Sequence, residues 1–200
     1  MIGGIPLPIR LLIGLGNPGE RYRRTRHNAG FLVLERLEGF RQTRWQPGYG
    51  GRWAEALLDG CPAVLFKPGT YMNLSGDPVA RILSRGFSPG EILVLCDDLD
   101  LPLGRIRLKP SGGTGGHRGL ASISDALGTG EYPRLRIGIG RPQDGGEPRD
   151  YVLDGFAEDE TEVAGAALDL AARAAVAAVA DGVEIAMNEF NGIDVAAGEP

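Results

Sequence analysis

Apolar residues in this chain fall into short runs separated by amphipathic stretches, and the alternation of the two sets the expected fold. Residues 9–15 are a compact apolar run closed by Gly16-Asn17-Pro18-Gly19, the pattern of a buried strand ending in a turn. The spacing then changes. Phe31, Leu34 and Leu37 recur at helical intervals over 28–37, with Gly39 as the stop. Residues 52–58 and 63–66 read as neighbouring strands, Asp59-Gly60 between them is a hairpin signal, and Pro68-Gly69 ends the pair. A helix is expected from 73 or 75 to about 85, then a loop at Ser88-Pro89-Gly90.

The second half continues in the same way. Residues 91–96 form an apolar strand that delivers Asp97, Asp98 and Asp100 at its C-terminal end, and 105–109 alternates basic and apolar residues as a half-exposed strand does. A glycine-rich loop over 111–117 leads into a helix near 120–127, and 134–140 is one more strand. An alanine-rich helix covers roughly 160–180, and a shorter one follows Gly182. Strands alternating with helices predict an α/β fold: a single globular domain with a mixed, mostly parallel central sheet and helices on both faces. There is no internal repeat and no linker long enough to divide two domains. The expected layout is a short N-terminal extension over 1–8, the domain over 9–190 and a C-terminal tail over 191–200.

Composition narrows the class. No uninterrupted apolar stretch approaches the roughly 18 residues of a membrane span, and the first ten residues lack the pattern of a secretory leader. The two cysteines, Cys61 and Cys96, fit a reduced, cytoplasmic protein, and with only His27 and His117 to add to them a metal site is disfavoured. The net charge of −5 argues against a nucleic-acid partner until its distribution is read. Residues 1–150 hold 20 Lys and Arg against 15 Asp and Glu, whereas residues 151–200 hold one Arg against 11 acids. Local field, more than total charge, steers an anion, so the first part remains a candidate RNA surface.

Three stretches carry chemistry. Four of the six residues 21–26 are arginine, and His27 follows at a helix start. An imidazole there can take a proton from water near neutrality; it can also be a plain helix-start histidine beside a solvated turn. Asp97, at the end of a central strand, stands where open α/β sheets keep their sites and can orient an imidazole, although Asp97, Asp98 and Asp100 also suit a turn or a divalent ion. Asn73 either caps a helix or polarises a carbonyl, with Tyr71 and Met72 beside it, and Asn17 is either a turn residue or a donor to ligand. The Gly-x-Ser-x-Gly nucleophile pattern is absent, which favours direct attack by water. The glycine loop lacks the lysine of a phosphate-binding P-loop, which leaves a nucleotide-binding enzyme as a weak third reading.

Taken together, six segments resemble the bacterial-type peptidyl-tRNA hydrolase family, in its order and near its spacing. They are Gly14-Leu-Gly-Asn-Pro-Gly19, Tyr22-x-x-Thr-Arg-His-Asn-Ala-Gly30, Thr70-Tyr-Met-Asn-Leu-Ser-Gly76, Asp97-Asp-Leu-Asp-Leu-Pro102, Gly115-Gly-His117 and Arg134-Leu-Arg-Ile-Gly-Ile-Gly140. The resemblance covers roughly 9–190. It implies His27 as general base with Asp97 as its partner, and Asn17 and Asn73 holding the peptide and the attacking water. It further implies Tyr22, Tyr71, Met72 and His117 lining the substrate cleft, and Lys109 and Arg136 gripping tRNA phosphate. The implied substrate is peptidyl-tRNA, held by its acceptor stem and 3′ end; the implied protein is a cytoplasmic monomer without cofactor, metal or membrane partner. One position departs from the pattern: Arg118 stands where the family has asparagine, a cation that donates to phosphate or ribose oxygens but accepts nothing. Ala121 likewise stands where the family prefers a basic side chain. The resemblance also admits a non-catalytic RNA-binding relative, against which the joint presence of His27, Asp97, Asn17 and Asn73 speaks.

Overall fold

Four wholly buried residues, Leu11–Gly14 (β1), run through the middle of the sheet in the computed structural model, which describes residues 7–38, 44–142 and 145–198. Gly39 and most of the N-terminal extension lie outside the described residues. The other strands are β2 (Gln46–Gly48), β3 (Gly51–Leu58), β4 (Cys61–Pro68), β5 (Ile92–Asp98), β6 (Ile106–Lys109) and β7 (Arg134–Gly138). They form one seven-stranded sheet in the order β2-β3-β4-β1-β5-β7-β6. β1 runs parallel to β4 and β5, and β5 parallel to β7, while β2-β3-β4 at one edge and β7-β6 at the other are antiparallel. This is the mixed, centrally parallel α/β sheet that the strand and helix alternation predicts.

The period of two along each strand sorts the core into two layers. Leu12, Leu65, Leu93, Leu95, Leu135 and Ile137 face α1 (Ala29–Glu38), α5 (Thr161–Ala180) and α6 (Val183–Phe190). Leu11, Ile13, Phe66, Val94 and Cys96 face α2 (Gly76–Leu83) and α3 (Arg118–Leu127). Helix α5 is long and apolar enough, by length and composition, to cross a membrane. Here its alanines and leucines at 164, 167, 168, 170, 171, 174, 175 and 178 are buried, most of them in the core layer it shares with α1.

Several boundaries differ from the expected ones for physical reasons. The strand expected over 91–96 continues to Asp98, because Asp97 and Asp98 still pair with Ile137 and Gly138 of β7. The helix expected from 73 or 75 splits into a 3-10 turn, Met72–Leu74, and α2. Two elements carried no readable signal. β2 is Gln-Pro-Gly, recruited by pairing with β3, and α4 (Pro148–Leu153) is too short for periodicity to show.

Helix α1 approaches the sheet without space for a side chain at Gly30. A Cβ there would stand 2.3 Å from the Leu95 carbonyl oxygen and 2.4 Å from the Leu15 nitrogen, so the helix start rides directly over the C-terminal ends of β1 and β5. Both neighbours are backbone and cannot swing aside. Gly30→Ala is therefore expected to lower unfolding free energy by about 1–3 kcal/mol, the usual cost of overpacking. Urea denaturation checks this, and an unchanged midpoint would contradict the close approach.

Candidate active site

The parallel strands β4, β1, β5 and β7 end along one edge, where open α/β sheets collect ligands. The 3-10 turn Arg26–Asn28, just before α1, lies on that edge and sends three consecutive side chains to three different partners. Arg26 goes to the segment between α4 and α5, His27 to Asp97 at the end of β5, and Asn28 to Asn17 in the loop after β1.

His27 Nδ1 lies 2.9 Å from Asp97 Oδ1 and 3.0 Å from Oδ2. The carboxylate requires the ring proton on Nδ1, which leaves the Nε2 lone pair free to accept. His117 Nε2 lies 3.0 Å from the same Oδ1. Its other nitrogen, Nδ1, accepts the backbone N–H groups of Gly119 and Leu120 at 3.1 and 3.2 Å, so His117 is the N-cap of α3. Those two donors put the His117 proton on Nε2, pointing at Asp97. The rings of His27 and His117 are 5.2 Å apart.

The Asp97 side chain is only 3 % exposed. Burial pushes its carboxyl upward, but the two imidazoles more than reverse this, His117 first and His27 next, through charge attraction and through a hydrogen bond from each; the acid is held well below the usual carboxylate range. The nearby Cys96 thiol, buried among apolar side chains, is driven the other way and is inert. His27, Asp97 and His117 bring three potential metal donors within 4.8 Å of one another. Coordination at His117 Nε2 requires moving its proton to Nδ1, which breaks the cap on α3. The donor set therefore suits hydrogen bonding better than a metal ion.

Asn17 and Asn28 hold each other through a reciprocal pair, Asn17 N to Asn28 Oδ1 at 2.8 Å and Asn28 Nδ2 to Asn17 O at 3.0 Å. Asn17 Oδ1 accepts the Met72 N–H at 2.8 Å, and among the described residues its Nδ2 donor is left over. Asn28 is absent from the residues expected from sequence, although it stands inside the quoted motif; an asparagine following a histidine in a turn was its only signal. Tyr22 and Tyr71 meet edge to face at 6.3 Å, and Tyr71 is 51 % exposed. Met72 is buried against Gly119, where an added Cβ would come within 2.6 Å of its sulfur.

The remaining expected residues sit around this centre. Asn73 and Arg118 are exposed and line a cavity of about 690 Å³ between α2 and α3, with Leu74, Asp77, Ala121 and Asp125. Lys109 is exposed on edge strand β6. Arg136 donates to Asp98 Oδ2 at 3.0 Å and to the Gly113 carbonyl at 2.7 Å. Arg134, wholly buried and stacked on Tyr132, donates to the same Gly113 carbonyl, so two arginines shape the glycine-rich loop. Register sets Arg107 opposite Arg136 and Lys109 opposite Arg134. Like charges directly opposed destabilise a strand pair, and these two antiparallel strands carry two such oppositions, one of them tempered by the Arg136–Asp98 ion pair. Helices α5 and α6, from the acidic last quarter of the chain, cover the other face of the sheet.

Comparison with known proteins agrees with this geometry. A peptidyl-tRNA hydrolase family model matches residues 11–198. The peptidyl-tRNA hydrolase of Desulforudis audaxviator (strain MP104C) is 47 % identical over 185 residues, covering 92 % of this chain and 93 % of that protein. That of Symbiobacterium thermophilum is 47 % identical over 189 residues, covering 91 % and 98 %. The crystal structure of peptidyl-tRNA hydrolase from Acinetobacter baumannii superposes with a TM-score of 0.87 at 36 % identity, over 93 % of this chain and 96 % of that one.

Because the Asp97 carboxyl is depressed in the folded state, the stability it contributes is fully present above its unfolded value of about 4 and is lost as pH falls through the lower folded value. Asp97→Asn should lower stability at neutral pH and flatten the acid side of the profile. Urea unfolding from pH 2 to 7 measures both, and parallel profiles for the two proteins would refute the assignment.

Proposed function

The chain belongs to the peptidyl-tRNA hydrolase family, and we propose from that premise that it cleaves peptidyl-tRNA by general-base activation of water at His27. The observation that carries this reading is the His27–Asp97 pair, with both carboxylate oxygens within 3.0 Å of Nδ1. Nε2 takes a proton from water, and the resulting hydroxide attacks the carbonyl carbon of the ester. The tetrahedral intermediate collapses with loss of the tRNA 3′ oxygen, which recovers the proton from His27. Asp97 favours the imidazolium formed in between, and His117 steadies the carboxylate through the Oδ1 that it shares with His27.

The exposed amide of Asn73 and the spare Nδ2 of Asn17 are the neutral donors for the water, the peptide and the developing oxyanion. Tyr22, Tyr71 and Met72 shape the cleft beside them. Lys109, which has no ion pair among the described residues, grips phosphate on the acceptor stem, with Arg136 backing it. The opposition of Lys109 and Arg134 across the antiparallel β6–β7 pair supports that assignment, since an anion relieves their repulsion. Arg118, at the mouth of the α2–α3 cavity, donates to the 3′ end.

His27→Ala should lose at least about 100-fold in turnover on N-blocked aminoacyl-tRNA while tRNA affinity stays within about twofold. Turnover close to that of the parent protein would eliminate the base assignment. Lys109→Ala should weaken tRNA binding and reduce the slope of log affinity against log salt by about one. An unchanged slope would remove Lys109 from the phosphate contacts.

A further inference from the structure

Arg26 precedes His27 and points away from the reaction, yet its side chain is only 7 % exposed. Its guanidinium lies over the Tyr151 ring at 4.1 Å and near the Phe156 ring at 5.3 Å. One arm of the fork donates to the Gly155 carbonyl and the other to Glu160 Oε2. Its backbone N–H donates to the Asp154 carbonyl at 2.9 Å, and Thr25 forms an isolated β-bridge with Gly155. Glu160 also accepts the Ala157 N–H, and the Tyr151 hydroxyl donates to the Ile139 carbonyl at 2.7 Å. The cage is thus fixed to the residue just after β7 on one side and to the start of α5 on the other.

We propose that Arg26 is a positioning residue for His27, acting through the 151–160 segment. A 3-10 turn of three residues has little stiffness of its own. Its aim depends on the anchors at either end, which are the Asn28–Asn17 amide pair and the Arg26 cage. Loss of the cage leaves the His27 ring near Asp97 but free to rotate about it, so Nε2 no longer holds one direction toward the water. Lysine cannot replace this arginine, because a point ammonium neither stacks flat on two rings nor donates in two directions from one plane. The inference rests on His27 being the base.

The test is Arg26→Met, which keeps the aliphatic stem and removes the fork. The expected result is a fall of about 10- to 100-fold in kcat, the scale of a misplaced reactive group, with KM within about twofold. The downfield Nδ1–H proton resonance of His27 should broaden or move while that of His117 Nε2–H is retained. Parental kcat with an unchanged His27 resonance overturns the proposal; if His27→Ala loses turnover in the same assay, the base assignment survives that failure. Should Arg26→Met not fold, Glu160→Gln decides. A lower kcat with a displaced His27 resonance supports the positioning role, and parental values of both overturn it.

Discussion

A single buried carboxylate organises this molecule. Asp97 is taken out of water at the end of the central strand β5, and the energetic cost of burying its charge is offset only by donors that reach it there. Two imidazoles do so from separate elements, one at the start of α1 and one at the start of α3. Each ring is constrained in turn by what holds its own backbone. The requirement to satisfy one charge thereby fixes the relative placement of two helices on opposite faces of the sheet.

The dependence runs in both directions. His117 is at once a donor to Asp97 and the cap of α3, so the proton position on its ring is set by a helix terminus and not by solvent. Gly30 lets α1 settle against β1 and β5, and that seating brings the turn bearing His27 over the Asp97 carboxylate. One seating of α1 and one cap on α3 thus bring two imidazoles and a carboxylate together at the end of β5.

Much of this was legible in the residues. Compact apolar runs marked the central strands β1 and β5, and the histidine beside a basic turn and the aspartate after an apolar strand marked the two principal partners. What escaped detection was non-local. Gln46–Gly48 becomes a strand only because β3 offers it hydrogen bonds, and nothing in Gln-Pro-Gly announces that. The apolar run stops at Cys96, but the ladder to β7 carries the strand on through Asp97 and Asp98. Arg26 looked like one of four solvated arginines, and its burial depends on two aromatic rings more than 120 positions away. The skewed charge along the chain was visible as numbers, but the division between the two faces of the sheet appears only in the folded molecule.

The bond between Arg26 and Glu160 spans 134 positions. Local segments can collapse early, but a closure of that length waits until nearly the whole polypeptide is available. As the chain leaves the ribosome, helix α1 and its histidine emerge long before the residues that brace them. The cage around Arg26 therefore closes late, and a product broken off before position 160 carries His27 and Asp97 but lacks the carboxylate that secures the guanidinium.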